Sequence, residues 1–375
     1  MCAPRAALAL VSSAPRGPAF GLVVAAVAVL ASMLAGCAAE QPMPAVRAGV
    51  PAARTLVGSA RAVLASGGNS PSPRSGRPTL ITEPGPGDRP FVKMIAAARW
   101  RVEMTMYELA DVTVERALIG AARRGVSVRV ILDGARPYGG GWTNAAAFSR
   151  LRAGAVQVRY ASSRFALTHQ KTLLVDGSSA AIMTLNLTRR YYATTRDFAV
   201  IDDDSADVAS IAATFAADWR GPARGAGAPG AGSGDLVWSP GAQREILALI
   251  DHARQSLNIY NEEMDDDGVT DALCAAARRG VVVRVRMTFQ RRWVAALNRL
   301  TACGAQVSDP REGAGLYIHA KAIVVDGREA FVGSQNFSVQ SLQYNRELGL
   351  VTSNRTIVAG LSRSFRADFS GPARR

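Results

Sequence analysis

Lysine is nearly missing from this 375-residue chain. Of its 44 basic residues only Lys93, Lys171 and Lys321 are lysine; the rest are arginine. Histidine is as scarce, with three in all, His169, His252 and His319, and that excludes a His-rich metal centre. Four cysteines exclude a disulfide-stapled miniprotein and a multi-zinc scaffold. What is abundant is apolar. The chain is 48% hydrophobic against 20% charged, which excludes a mainly disordered protein and suffices for two ordinary domains, each with its own core. The formal net charge is +14. A basic protein is drawn to phosphate, either in nucleic acid or in anionic lipid headgroups. So strong a preference for Arg, beside so much Ala and Gly, equally suits a coding bias. The few lysines and histidines are therefore informative one by one.

Arg5 and Arg16 are the only charged residues before Glu40. An apolar run over residues 20–35, broken only by Ser32, leads into Gly36-Cys37. A basic start, a short apolar core and small residues at the cut describe a secretory signal peptide over residues 1–36. A Cys placed directly after Leu34-Ala35-Gly36 resembles a bacterial lipobox. That resemblance implies a diacylglyceryl group on Cys37, which becomes the new N-terminus. The alternative, an uncleaved anchor helix, is disfavoured because the run falls short of the roughly 20 residues a bilayer span needs. The chain is thus expected outside the cytoplasm, anchored to the cell membrane as a lipoprotein. Residues 37–78, rich in Ala, Pro, Gly, Ser and Arg, read as a flexible tether.

The remainder is one unit written twice. Leu80-Ile81-Thr82-Glu83-Pro84 returns as Leu236-Val237-Trp238-Ser239-Pro240, and Ala121-Ala122-Arg123-Arg124-Gly125-Val126 returns as Ala276-Ala277-Arg278-Arg279-Gly280-Val281. Phe215-Ala216-Ala217-Asp218-Trp219 returns as Phe365-Arg366-Ala367-Asp368-Phe369. The offset is nearly constant, so the lobes are 79–224 and 235–375, with a Gly/Ala/Pro/Ser linker over 225–234. In each, strand patterns (102–107, 126–132 and 172–175; 257–260, 281–287 and 322–325) alternate with helical spacing (114–124; 269–279) that stops at Gly125 or Gly280. The order predicts an α/β fold: a sheet flanked by helices in each lobe, the two lobes related by a pseudo-two-fold axis.

The chemistry sits at the same place in both lobes. His169-Gln170-Lys171 is followed by Asp176, and His319-Ala320-Lys321 by Asp326. Each is H-x-K-x-x-x-x-D, and together they use two of the three histidines and two of the three lysines. Asn186 and Asn336 follow at equal distances, the latter within Gly333-Ser334-Gln335-Asn336; the first lobe has Met183-Thr184-Leu185-Asn186. On a strand, residues two apart share a face, so each His lies beside its Lys. The Asp falls beyond the strand, where it can orient or charge-balance a neighbour. Lysines offset the charge of non-bridging phosphate oxygens, and Thr184, Asn186, Ser334 and Asn336 supply donors that fix their geometry. One imidazole attacks phosphorus while the other protonates the leaving oxygen. No metal or other cofactor is required, and the chain offers no good metal site.

These residues resemble the phospholipase D superfamily over residues 80–375. The resemblance implies two phospholipase D-like α/β/α lobes, a covalent phosphohistidine and ping-pong kinetics, with His169 as nucleophile and His319 as acid and then base. It also implies that Asn345-Arg346-Glu347, and Thr195-Arg196-Asp197 in the first lobe, supply carboxylates that orient the histidines. Asp197 for Glu and Met183 for Gly are the departures in the first lobe. The expected activity is a phospholipase D-type hydrolase cleaving the headgroup phosphodiester of phospholipids at a membrane surface. The alternatives are a nuclease of the same superfamily, with nucleic acid as substrate, a phosphatidyl transferase, and a non-catalytic surface binding protein. Both motifs lie in one chain, so a monomer suffices to complete the site.

Weaker signals remain. Glu108 and Glu263 are equivalent across the repeat and either line the cleft, cap a helix or lie solvated in a loop. Residues 262–267 read as a solvated acidic loop in preference to a calcium site. Trp142 and Trp293 suit packing, a lipid interface or base stacking. Cys274 and Cys303 take the places of Ile119 and Ala153 in the first lobe. In an oxidising compartment they are expected to form a disulfide, with buried free thiols as the alternative. His252, outside both motifs, reads as a helix-surface residue.

Overall fold

The computed structural model describes residues 78–134, 144–221, 234–311, 313 and 315–370. The signal sequence, Cys37, nearly all of the tether, most of the linker and Trp142 lie outside the described residues.

The first lobe runs β1 (Thr79–Glu83), α1 (Arg89–Ala97), β2 (Arg101–Met106), α2 (Val112–Arg123), β3 (Ser127–Leu132), α3 (Ala145–Ala153), β4 (Gln157–Tyr160), β5 (Lys171–Val175), β6 (Ser179–Met183), β7 (Thr195–Asp202) and α4 (Ser205–Arg220). The second repeats it: β8 (Leu236–Ser239), α5 (Ala242–Asp251), β9 (Ser256–Tyr260), β10 (Met264–Asp265), α6 (Asp267–Arg278), β11 (Val282–Arg286), α7 (Val294–Ala302), β12 (Gln306–Ser308), β13 (Tyr317–Ile318), β14 (Lys321–Val325), β15 (Glu329–Gly333), β16 (Phe337–Ser338), α8 (Val339–Gln343), β17 (Glu347–Thr352) and α9 (Arg355–Phe369). The strand orders are β1-β7-β6-β5-β2-β3-β4 and β8-β17-β15-β14-β9-β11-β12, the same topology twice. Along these orders the β2/β3/β4 or β9/β11/β12 neighbours are parallel and the others antiparallel; β13 adds to the first sheet by pairing with β7.

Local chemistry sets the element ends. Asp111 caps α2 by accepting the Thr113 N–H (2.8 Å), and Asp266 caps α6 by accepting the Val269 N–H (2.9 Å). Both helices run into a glycine with positive φ, Gly125 at 88° and Gly280 at 89°. Only glycine adopts that left-handed turn without strain.

The hairpin strands carry alternating side chains to two different cores, because both of their faces are covered. Leu173 and Val175 of β5 face the outer core of their lobe, under α1 and α2, and Ile323 and Val325 of β14 do the same in the second lobe. Leu174, Ile182, Phe198 and Val200 turn the other way and meet Val324, Val332, Leu348 and Leu350 in a third core between the lobes, closed by α4 and α9. The two sheets therefore pack on each other through the strands that carry the His-x-Lys motifs, and the motifs open at the seam.

Two largely buried ion pairs fasten that seam. Arg196 grips Asp368 of α9 through Nε (2.6 Å) and Nη2 (2.9 Å). Arg346 grips Asp218 of α4 through Nε and Nη2, both at 2.8 Å. Each arginine follows the other's position in the repeat, and each reaches into the opposite lobe. The Cys274 and Cys303 sulfurs are joined in a disulfide between α6 and the end of α7.

The substitution of Met183 for Gly333 is a matter of packing. A Cβ on Gly333 would lie 2.6 Å from the Cα of Gly349, and one on Gly349 would lie 2.2 Å from the ring of Phe331. In the first lobe the matching three positions are Ala181, Met183 and Ala199. A large residue at the first position demands glycine at the other two; a small one leaves room for methionine.

Candidate active site

The segment entering each motif crosses to the other lobe before its strand begins. Tyr317–Ile318 (β13) pairs in parallel with Thr195–Arg196 of β7, and the Ala320 N–H donates to the Arg196 carbonyl (2.9 Å). In the pseudo-symmetric contact Thr168 bridges Arg346, and the Gln170 N–H donates to the Arg346 carbonyl (2.9 Å). Each histidine is thereby laid beside the strand that bears the other lobe's carboxylate. His169 Nδ1 is 2.8 Å from Glu347 Oε2, and His319 Nδ1 is 2.8 Å from Asp197 Oδ1. A carboxylate only accepts, so each Nδ1 carries the proton.

Both carboxylates are held on their remaining sides. Glu347 Oε1 accepts from Ser341 Oγ (2.6 Å) and Asn345 Nδ2 (3.0 Å). Asp197 accepts from Thr184 Oγ1 (2.5 Å) and Thr195 Oγ1 (2.8 Å). The shorter Asp is thus served by two threonines. Burial works against ionisation of both, but the paired histidine, the lysine beside it and these hydroxyls outweigh it and hold the two carboxyls below their ordinary range.

His169, His319, Asn186 and Asn336 line one cleft of about 1140 Å³, together with Tyr107, Glu108, Glu262, Tyr317 and Arg292 among others. Lys171 and Lys321 lie behind the histidines, fully buried. Each ammonium donates to the carbonyl of the histidine two residues before it, at 2.6 Å. Burial, reinforced by Lys321, pushes Lys171 down to about 7. Burial also pushes His169 down to about 4; Glu347 pulls the other way, and Lys171 and Lys321 add to the fall. At neutral pH His169 is therefore uncharged, with Nδ1–H on Glu347 and the Nε2 lone pair available.

Three expectations about site residues need correction. Asp176 and Asp326 stand at the far end of β5 and β14, about 16 Å along the strand from the motif lysines at roughly 3.3 Å per residue. Asp176 instead accepts the backbone N–H groups of Arg99 (2.9 Å), Trp100 (3.0 Å) and Arg101 (2.9 Å). Asp326 does the same for Arg254, Gln255 and Ser256 at 2.9, 2.7 and 2.8 Å. Both have positive φ, 54° and 52°. They are anchors that tie the hairpin turn to the start of β2 or β9, and the fixed motif spacing reflects strand length. Thr184 and Ser334 do not reach the cleft. Thr184 braces Asp197, and Ser334 Oγ accepts the Leu348 N–H (3.2 Å). The acidic loop at 262–267 is not simply solvated. Glu262 Oε2 pairs with Lys321 Nζ (2.9 Å), Glu262 and Glu263 line the cleft, and Asp266 caps α6.

Trp293 is buried against the second-lobe core, with the Arg292 guanidinium 4.5 Å from its ring centroid. His252, half-exposed at the C-terminal end of α5, bonds Glu329 Oε2 (2.9 Å). Glu108 lies in the cleft, where burial raises its pKa and Asn186 Nδ2 reaches its Oε2 at 3.4 Å. The sequence reading passed over Tyr107, whose ring meets His169 edge-on at 4.6 Å, and the arginines at 196 and 346. Those arginines lay within quoted repeats, where an Arg repeated beside an orienting carboxylate and an Asp repeated near each C-terminal helix end were the available signal.

Two duplicated α/β lobes, each lending a histidine to one cleft and a carboxylate to the other's histidine, define an enzyme of phosphodiester chemistry with phospholipase D architecture. The family described as "Cardiolipin synthase, PLD-like domain" matches residues 91–219 and 246–369. The chain belongs to that family, within the phospholipase D superfamily. Cardiolipin synthase A of Serratia proteamaculans (strain 568) is 27% identical over 310 residues, covering 70% of this chain and 62% of that protein. The mitochondrial cardiolipin hydrolase of Xenopus tropicalis is 31% identical over 139 residues, covering 35% of this chain and 62% of the relative. The chain spans about six tenths of the length of these curated relatives. The phosphatidylserine synthase of Haemophilus influenzae Rd KW20 shares the fold, with a TM-score of 0.61 at 12% identity over 78% of this chain and 86% of that one.

Proposed function

We propose that this enzyme transfers a phosphatidyl group between phospholipid and an alcohol acceptor. The observation that carries the reading is the pair of unlike imidazoles on one cleft, each oriented by the opposite lobe. His169 Nε2 attacks phosphorus and the P–O bond to the leaving alcohol breaks. His319 gives its Nε2 proton to that oxygen, leaving a phosphohistidine on His169. An entering alcohol then passes its proton to His319 and takes the phosphatidyl group, which frees His169. Buried Lys171 and Lys321 offset the phosphate charge from behind the imidazoles. Similarity to the Serratia cardiolipin synthase favours an alcohol as acceptor.

Hydrolysis, with water in place of the alcohol, is the second reading, and the similarity to the Xenopus cardiolipin hydrolase favours it. A lipid modification on Cys37 would hold the cleft beside a membrane; fatty-acid labelling that survives replacement of Cys37 by Ala contradicts that placement. The activity test uses vesicles of phosphatidylglycerol with and without ethanol, and the His169→Ala protein beside the wild type. New phosphatidyl alcohols or cardiolipin that need His169 support transfer. Phosphatidic acid alone supports hydrolysis. No lipid product, with His169-dependent cleavage of DNA, overturns both.

A further inference from the structure

The segments that follow Asn186 and Asn336 hold equivalent places on the two sides of the cleft, because both asparagines line it and the lobes repeat one topology. They differ in character. The first reads Thr188-Arg189-Arg190-Tyr191, and both arginines are exposed. Arg190 is held in place: its Nη2 donates to Tyr191 OH (2.6 Å), and its guanidinium lies 4.6 Å from that ring's centroid. The second reads Ser338-Val339-Gln340 and opens α8, whose Leu342 turns into the second-lobe core. Val339 and Tyr344, at the two ends of α8, stay outside. Val339 is 45% exposed, and Tyr344, at 60%, is the most exposed large hydrophobic side chain among the described residues. Tyr344 adjoins the approach to the first motif, since its carbonyl accepts the Ala166 N–H (3.0 Å). A third stretch of the cleft wall, after β11, adds Arg291 and Arg292, both exposed. Arg292 Nε donates to Gln290 Oε1 (2.9 Å), which together with the ring of Trp293 fixes its guanidinium.

Four exposed arginines and two exposed apolar side chains thus rim one opening. Asp265 is the exposed acid of the same wall; Glu262 and Glu263 lie deeper, and Glu262 is paired with Lys321. Glu108, 3.8 Å from Arg190 Nη2 through its Oε1, is buried beneath that arginine. The accessible charge of the rim is therefore mainly positive. We propose that this rim is the face on which the enzyme docks to an anionic bilayer, with Tyr344 and Val339 entering the headgroup layer and the arginines meeting lipid phosphates. Tyrosine and arginine settle where apolar and wet surroundings meet. A basic residue near an anionic membrane surface gains about fivefold in affinity. Docking on this face sets the cleft mouth against the surface that holds the substrate. A lipid phosphodiester then reaches His169 and His319 while its acyl chains stay in the bilayer. The inference rests on the phosphatidyl reading of the site and adds to it the surface by which the enzyme meets its substrate.

The test is flotation of the full chain with vesicles. Every protein, the parent included, carries Cys37→Ala, so that no lipid on that residue holds it. Vesicles of mixed phosphatidylglycerol and phosphatidylcholine are compared with pure phosphatidylcholine, at low salt and at about 0.5 M salt, which shortens the reach of surface charge. Arg189→Gln and the double variant Val339→Ser/Tyr344→Ser alter side chains outside the cleft lining. Trp100→Ser is the control: Trp100 is 59% exposed but adjoins Asp176, at the far end of the strands from the cleft. The parent should bind the anionic vesicles about tenfold or more tightly than the neutral ones and lose that preference in high salt. Arg189→Gln should weaken anionic-vesicle binding about fivefold, and the double serine variant about tenfold. Both should lose turnover of vesicle phosphatidylglycerol in step, yet keep turnover of a soluble p-nitrophenyl phosphodiester within about threefold. Trp100→Ser should change neither. Equal binding to neutral vesicles, parent-like binding by both rim variants, or an equal loss in Trp100→Ser would overturn the inference. DNA binding that Arg189→Gln weakens, with no flotation on vesicles, would overturn it and assign the rim to nucleic acid. Phosphatidylglycerol dispersed in detergent separates this inference from the reading beneath it: no lipid product there refutes the phosphatidyl reading, while flotation still reports on the rim.

Discussion

Replacing Glu347 by Gln changes one atom and should disable the histidine of the opposite lobe. Glu347 Oε1 takes hydrogen bonds from Ser341 and Asn345, and Oε2 takes the His169 Nδ1–H. A glutamine that keeps its carbonyl toward Ser341 and Asn345 turns its NH₂ toward Nδ1. His169 must then accept at Nδ1 and carry its proton on Nε2, the atom proposed to attack phosphorus. The nucleophilic lone pair is lost by a change of tautomer, with the ring still in place. The imidazolium-like charge that develops on His169 as it bonds to phosphorus also loses its counter-charge. The same carboxylate-to-amide change behind a catalytic histidine lowers kcat by about 10⁴ in a Ser-His-Asp triad. Here a fall of about 10³–10⁴ is expected, or about 4–5.5 kcal/mol of barrier at 1.36 kcal/mol per factor of ten. The assay is steady-state turnover of a p-nitrophenyl phosphodiester, whose good leaving group isolates the nucleophilic step, with thermal melting to establish that the protein is folded. A folded Glu347→Gln protein that keeps more than a tenth of wild-type kcat refutes the tautomer argument.

Asp176→Asn and Asp326→Asn should each lower the melting temperature yet leave kcat within about threefold, because three backbone N–H groups lose a charged acceptor worth about 1.5–3 kcal/mol while the cleft is untouched. Both carboxyls sit below their ordinary range, burial being outweighed by those N–H groups; their stabilisation is therefore full above the unfolded pKa near 4 and is lost as pH falls through the lower folded values. An acid-unfolding midpoint that does not move in the double variant contradicts the anchoring role. Arg346→Ala leaves Asp218 without its buried partner and should destabilise by about 3–5 kcal/mol in urea denaturation; a loss under 1 kcal/mol would mean the pair does not fasten the lobes. The profile of kcat/KM against pH should rise through about 4, where His169 loses its proton, and fall through about 7, where Lys171 loses its charge; a rate still rising above pH 8 would contradict that ordering.

Much of this was legible in the sequence because duplication turns weak signals into strong ones. A lone His-x-Lys on a strand says little, but two in register at the start of matched hairpins locate the cleft. The ends of α2 and α6 followed from Gly125 and Gly280, whereas their starts lie two residues before the helical spacing suggested, where Asp111 and Asp266 cap them. The cross-lobe exchange was not legible, since nothing in a linear motif says that Thr168 bridges Arg346 or that β13 pairs with β7. That pairing alone decides which carboxylate serves which histidine. Asp176 and Asp326 were misjudged for a related reason. Their constant spacing from the histidine suggested a shared site, whereas it is the length of a five-residue strand with an anchor at its far end. Thr184 and Ser334 were read as phosphate donors because the sequence places them two residues before Asn186 and Asn336; burial turns both hydroxyls inward. Glu262 looked like part of a solvated run because charge alone does not reveal a buried lysine partner.

The central claim, covalent catalysis at His169 with His319 as acid, is tested most directly by trapping the intermediate. Wild-type, His169→Ala and His319→Ala proteins are mixed with a p-nitrophenyl phosphodiester, quenched within milliseconds in alkali, where phosphohistidine survives, and analysed by peptide mass spectrometry. The account predicts a substrate-derived phosphoryl adduct on His169 in the wild type, its accumulation in His319→Ala, where resolution lacks its base, and none in His169→Ala. An adduct on His319 instead, or turnover with no adduct on either histidine, would contradict it.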